Sequence, residues 1–172
     1  MCIMKTERLF LREMQMGDLD RLYELYEDAA ARRYLEPLSE DRAEEAEKLK
    51  AYIDVCYSFY GFGYWAVCDR ESGEMIGRCG FRVVGFDGEF MVDTGWLIDA
   101  RYRGQGLAEE AVRAVLSFAE ETLELDEVTA CIEEGNDISE RLAKRCGFVY
   151  DKEVTSSGRL YKLYRKQLDM AS

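Results

Sequence analysis

The chain of 172 residues has no histidine and a single proline. Without an imidazole there is no Ser-His-Asp or Cys-His catalysis, and no zinc site built with histidine. Chemistry here must run on carboxylates, hydroxyls, thiols, backbone groups or a borrowed coenzyme. Positive charge is also scarce: 23 Lys and Arg stand against 35 Asp and Glu, for a net charge of −12. A field of that sign repels nucleic acid and anionic membranes and draws in cations, so amines, polyamines and basic peptides are the expected partners. None of the six cysteines forms a C-x-x-C pair, which removes the zinc ribbon and the thioredoxin motif. Cysteines scattered through apolar stretches read as reduced, buried small hydrophobes. Long apolar runs are missing too. The longest uncharged stretch, 55–68, is interrupted by Gly61 and Gly63 and is too short to span a bilayer. The start of the chain already carries Lys5, Glu7 and Arg8, unlike a signal peptide. A cytoplasmic protein is the expectation.

What is present fits one compact domain over 1–172, with 48% hydrophobic and 34% charged residues. Alternation around Leu9 and Leu11 predicts a strand over 6–13. Asp18 is placed to cap a helix with Leu19, Leu22, Tyr23 and Tyr26 on its apolar face. Pro37 breaks the chain, and Ser39 is placed to cap a second helix reaching about residue 59. Strands are predicted over 63–68, 74–84 and 90–98, joined by turns at 69–73 and 86–88. A strong helix over 104–122 carries the stripe Leu107, Ala111, Val115, Phe118. A strand over 128–132, a short helix opened by Asn136 and closed by Gly147, and a hairpin over 148–154 and 159–164 complete the chain. That order predicts an α/β (or α+β) domain, with a mixed sheet and helices on both faces.

The sharpest local feature is Asp99-Ala-Arg-Tyr-Arg-Gly-Gln-Gly-Leu-Ala108, between a buried strand and the strongest helix. Glycines at such a turn let the backbone approach a ligand and aim free N–H groups at it. The helix dipole favours a phosphate or pyrophosphate there. Arg101 and Arg103 are expected to add local positive charge. The bland alternative is an ordinary glycine turn with exposed arginines. The segment is neither a Walker A loop nor a dinucleotide fingerprint, because no Gly-Lys-Ser/Thr and no third glycine follow.

Arg103-Gly-Gln-Gly-Leu-Ala108 resembles the R-x-x-G-x-A signature of the GNAT superfamily of N-acetyltransferases. Asp93-Thr-Gly-Trp-Leu-Ile98 resembles the preceding strand, and Asn136-Asp-Ile-Ser139 with Cys146-Gly-Phe148 resembles the later Asn…Gly-Phe motif. Thr6-Glu-Arg-Leu-Phe-Leu-Arg12 is similar to the opening of the ribosomal-protein (Rim-type) branch. The resemblance implies a mostly antiparallel sheet splayed in the middle, acetyl-CoA as co-substrate, and no metal. It implies that the backbone of Arg103, Gly104, Gln105, Gly106, Leu107 and Ala108 cradles the pyrophosphate. Leu97 and Ile98 would meet the pantetheine arm and the thioester carbonyl, and Asn136 and Ser139 would contact the coenzyme from the opposite strand. Arg141, Lys144 and Arg145 would be within reach of the 3′-phosphate.

The implied reaction is attack of a primary amine on the thioester, the amine belonging to a protein N terminus, a basic peptide or a small molecule. Asp93 is the candidate general base, because an ionisable group in a buried strand needs a reason. A carboxylate merely satisfied by its neighbours is the alternative, and Glu133 and Glu134 are further candidates. The tyrosine that the family places before its Gly-Phe pair reads Ala143 here, so Ser139, a tyrosine from elsewhere or solvent is the candidate acid. Cys131 has no histidine to activate it as an acyl carrier. The first two helices and the closing hairpin are expected to form the acceptor site, with Tyr23, Tyr26, Tyr34, Tyr57, Tyr60, Tyr64 and Trp96 on offer to flank a cation. A silent acyl-CoA-binding sensor or interaction module is the competing function, and either a monomer or a homodimer fits.

Overall fold

The computed structural model describes residues 1–169. Eight strands form one sheet in the order β1-β2-β3-β4-β5-β6-β8-β7. They are β1 (Cys2–Lys5), β2 (Leu9–Arg12), β3 (Tyr64–Asp69), β4 (Met75–Phe86), β5 (Glu89–Ile98), β6 (Glu127–Glu133), β7 (Val149–Ser156) and β8 (Arg159–Gln167). All neighbours run antiparallel except β5 and β6, which are parallel and joined through a helix. The five α-helices are α1 (Leu19–Leu25), α2 (Ala29–Tyr34), α3 (Arg42–Val55), α4 (Leu107–Glu121) and α5 (Asp137–Arg145). No helix among the described residues is long and apolar enough to cross a membrane.

Period-2 alternation divides the sheet into two faces. Trp65 and Val67 of β3 meet the buried stripe of α4, while Ala66 and Cys68 meet Leu22, Leu25 and Leu49 of α1 and α3. Leu107, Ala111, Val112, Val115, Leu116 and Ala119 of α4 are all at most 5% exposed. Burying each larger side chain of that stripe contributes about 1.5–3 kcal/mol. The small residues Ala111 and Ala119 let the helix lie close on the sheet, so the turn that precedes α4 is held by a rigid support.

Several elements differ from the sequence expectation for local physical reasons. The strand predicted over 6–13 is the shorter β2, because Thr6 turns the chain by accepting the Leu9 N–H, and β1 precedes it without a counterpart in the prediction. Asp18 sits at the start of α1 but makes no cap bond; it holds Arg12 through two 2.8 Å contacts and accepts the Gln15 N–H at 2.7 Å. The forked guanidinium and the Gln15 amide take those oxygens ahead of the α1 amides. Asp41, not Ser39, caps α3, accepting from the Ala43 N–H at 2.9 Å. Ser39 stands two residues earlier and donates to Glu44. The α-helical part of that segment stops at Val55, a π-helical turn (Cys56–Tyr60) follows, and Gly61 at φ +73° ends it. The helix predicted from residue 104 begins at Leu107, because Gly106 is left-handed at φ +78°. The short helix α2 has no counterpart in the sequence prediction.

Candidate active site

Gly104 and Gly106 both adopt the left-handed backbone, at φ +74° and +78°. No protein atom lies within 4 Å of where a Cβ on Gly104 would stand, so the turn opens outward. No side chain caps α4, and its first amide to find an acceptor is that of Glu110, bonded to the Gly106 carbonyl at 3.0 Å. The amides ahead of it, including Leu107 and Ala108, are the orphan donors of a helix start. Open amides at a helix start are donors suited to an anion.

The arginines expected to supply charge here are spent elsewhere. Arg101 pairs with Asp99 (2.8 Å) and Glu74 (2.9 Å). Hydrogen bonds from Arg101 and Arg21 hold the Asp99 carboxyl well below the usual carboxylate range. Arg103 binds the Ile98 carbonyl at 3.1 Å and Asp28 at 2.9 Å, tying the turn to the start of α2. The sequence could not show this, because Asp28 and Glu74 are distant in the chain. The cation that does lean on the turn is Arg8. It donates to the Gln105 carbonyl at 2.8 Å and to Glu110 at 2.7 Å, with Thr6 also on Glu110. Thr6-Glu-Arg8 was legible as a motif, but its purpose as a clasp on the glycine turn was not.

The sheet opens beyond a single point. β5 and β6 pair only at Asp93 and Thr129, and residues 94–98 and 130–133 run on without bridging. The Asp93 carboxylate stands where the next backbone pair would form. One oxygen accepts the Cys131 N–H at 2.7 Å and the Thr129 hydroxyl at 3.3 Å; the other faces Arg82 Nε at 3.3 Å. The far end of β5 is drawn toward β4 instead: the Asp99 N–H reaches the Ile76 carbonyl at 2.8 Å, and a Cβ on Gly77 would lie 2.1 Å from the Leu97 carbonyl. Only glycine permits that approach. Asp93 is 2% exposed, and burial pushes its carboxyl up to about 6 against the pull of Arg82 and the Cys131 amide. Its neighbours satisfy the carboxylate, and burial sets its proton affinity above that of an ordinary aspartate.

The opening leads into a cleft of about 540 Å³. It brings together Asp93 and Leu97 from β5 with Asn136 and Ser139 from the start of α5. Asn136 Oδ1 caps α5 through the Ser139 N–H at 3.3 Å. Glu133 lies on the cleft wall and takes Arg159 at 3.3 Å, while Glu134 is exposed. Burial pushes the Cys131 thiol up, away from thiolate chemistry. Ala143 is wholly buried in the core. Arg145 pairs with Glu109 at 3.0 Å, and Arg141 and Lys144 are exposed on α5.

The aromatic residues separate. Tyr26, Tyr34, Tyr64 and Trp96 line the cleft. Tyr23 bonds the Ser39 carbonyl, Tyr57 bridges Met14 and Tyr64 backbones, and Tyr60 is exposed elsewhere. Tyr34 reaches from α2 to the Gly135 carbonyl at 3.1 Å, linking the acceptor-side helices to the β6–α5 turn. Sequence reasoning missed this strap because α2 itself was not predicted, and it passed over Arg78, which lies in the middle of the cleft wall.

A family model described as an acetyltransferase (GNAT) domain matches residues 8–149. The chain is 26% identical over 164 residues to the uncharacterized N-acetyltransferase p20 of Bacillus licheniformis, covering 92% of this chain and 91% of that one. An acetyltransferase structure from Agrobacterium tumefaciens aligns with a TM-score of 0.78 at 25% identity, over 97% of this chain and 94% of the other. RimL, a ribosomal L7/L12 alpha-N-protein acetyltransferase, shares the fold with a TM-score of 0.80 at 16% identity, over 98% and 94% of the two chains. A match across most of the chain, on a glycine turn and a splayed sheet of this construction, shows that the protein belongs to the GNAT acetyltransferase family.

Proposed function

We propose that the protein transfers an acetyl group from acetyl-CoA to a primary amine, on a protein N terminus or a small molecule. The observation that carries this reading is the coincidence of two features on one strand. The sheet parts at Asp93, and the unpaired edge of β5 runs from there to the open amides at the start of α4. The names of p20 as an N-acetyltransferase and of RimL as a structure also solved with coenzyme A support it.

The acetyl thioester supplies the activated acyl group. The amides of residues 104–108 hold the diphosphate. The free edge of β5 receives the pantetheine arm, and the Leu97 or Ile98 N–H stabilises charge developing on the carbonyl oxygen. An incoming ammonium has no lone pair until it loses a proton. Asp93, buried and raised toward neutrality, accepts that proton through a water. Asn136 and Ser139 stand on the opposite bank, where the Ser139 hydroxyl is the donor available to the departing thiolate.

Incubation with acetyl-CoA and a panel of amines, with free thiol followed by a chromogenic reagent and products by mass spectrometry, tests the reading. Stoichiometric thiol release with an N-acetylated product is expected. Coenzyme binding without release on any amine would instead make the protein an acyl-CoA-binding module.

A further inference from the structure

We infer that the acceptor carries a carboxylate beside its amine and that Arg78 reads it. This rests on the acetyl-transfer reading and narrows it to a substrate class. Cross-strand register puts Arg78, Gly80 and Arg82 of β4 on the same face as Leu97, Gly95 and Asp93 of β5. Between the two arginines the floor is glycine, and the Tyr64 ring packs onto Gly95 there; the backbones of Arg78 and Arg82 are about 13 Å apart along the strand.

The basic side chains of this cleft differ in one respect. Arg82 is engaged by Asp93 at 3.3 Å, Arg159 by Glu133 at 3.3 Å, and Lys48 by Glu44 at 2.8 Å. Arg78 makes no ion pair among the described residues. Its guanidinium lies over the rings of Tyr26 and Tyr64, 5.3 and 5.2 Å from their centroids, and donates to the Tyr26 hydroxyl. In a chain with 35 acidic and 23 basic residues, a half-buried arginine left without a carboxylate stands out. The rings fix the fork in place without neutralising it, and most of its five donors stay unused. A planar, immobilised, uncompensated fork matches a carboxylate in two-point fashion.

Position supplies the link to the reaction. Arg78 lies directly opposite Leu97, the strand residue assigned to the thioester. A carboxylate on the Arg78 fork places an amine one or two bonds away beside that point. A polyamine would bring a second ammonium against the same fork. The net charge that suggested cationic acceptors is a property of the whole surface, screened over about 8 Å, whereas selection happens inside the cleft.

The test compares L-α-amino acids with their C-terminal amides, and with spermidine, using the full chain and acetyl-CoA. Masking the carboxylate makes the amine less basic and so more available, which favours the amide intrinsically. A preference for the free acid must therefore come from the protein. The wild type is expected to favour at least one acid over its amide by about tenfold or more in kcat/KM. In Arg78→Met that ratio falls to about one, and Arg78→Lys, keeping the charge without the fork, lies between. Thermal shift with CoA present gives a second readout: acids raise the melting temperature more than amides in the wild type and not in Arg78→Met. Turnover without preference for any acid, or a preference that survives Arg78→Met, overturns the inference and leaves acetyl transfer standing. Acid-selective stabilisation without turnover upholds the anion site and removes acetyl transfer. No acid-selective effect in either readout ends the proposal.

Discussion

The glycine turn and the cleft, the two ends of the proposed site, are built by different means. The turn, the proposed coenzyme end, is backbone: two left-handed glycines, a strand edge without a partner and the uncapped start of α4, all carried on an apolar core. The cleft, the proposed acceptor end, is side chains: Tyr26, Tyr34, Tyr64, Arg78 and Arg82 come from the residue after α1, from α2, β3 and β4, and are oriented by hydrogen bonds and ring contacts. Backbone recognition tolerates little change at a few positions, whereas side-chain recognition can be rewritten residue by residue. In the proposed reaction, one region would set the chemistry and the other the acceptor.

The difference predicts a steep asymmetry between substitutions. At the glycine turn the effect is largest. Gly106→Trp places a bulky side chain on a left-handed backbone in the mouth of the cradle, and CoA affinity by calorimetry should fall by about 100-fold or more. Gly106 is on the surface, so circular dichroism should remain that of a folded protein. If Gly106→Trp binds as the wild type does, the division between the two ends is wrong.

Asp93 lies on the boundary between them. Asp93→Asn should lower kcat by about 10²–10³ and flatten the rise in rate that the wild type shows through about pH 6, with CoA affinity retained. An unchanged pH profile would make Asp93 purely a pin between strands. Stability gives an independent check. The folded-state value lies above the ordinary 3.8, so the folded protein binds this proton more tightly between about pH 4 and 6. Stability from this group therefore falls as pH rises through that window. Relative to Asp93→Asn, the wild type should lose up to about 3 kcal/mol in urea unfolding between pH 4 and pH 7.

A smaller effect is expected under the coenzyme bank. Buried Glu140 accepts from Tyr164 at 2.7 Å and Lys162 at 2.8 Å, anchoring α5 to β8. Glu140→Ala should cost about 1–3 kcal/mol in unfolding free energy. The smallest belongs to the strap: Tyr34→Phe removes one half-exposed hydrogen bond, about 0.5–1.5 kcal/mol, and should raise KM for the amine more than KM for acetyl-CoA. An effect confined to the coenzyme would show that Tyr34 belongs to the other end.

How much could be read in advance follows the same division. The glycine turn, Asn136 and the α4 stripe were legible because each is contiguous or periodic, and local sequence dictates its backbone. Asp93 was legible as an oddity, a charge within an apolar strand, although its grip on Cys131 depends on the splay. The fates of Arg101 and Arg103 were not legible, since carboxylates from other elements decide them. Asp18 and Ser39 looked like helix caps until Arg12 and Glu44 offered stronger partners. The tyrosine wall could be listed by type but not sorted, because α2 is too short to show a period and determines which rings face inward.

The central claim is that open amides at the start of α4 hold a coenzyme diphosphate. Calorimetric titration of the wild type with CoA and, separately, with pantetheine, which lacks the diphosphate, tests it directly. One-to-one binding of CoA at least about tenfold tighter than pantetheine, with the gap erased in Gly106→Trp, is the predicted result. Equal affinities, or no heat with CoA, would contradict it.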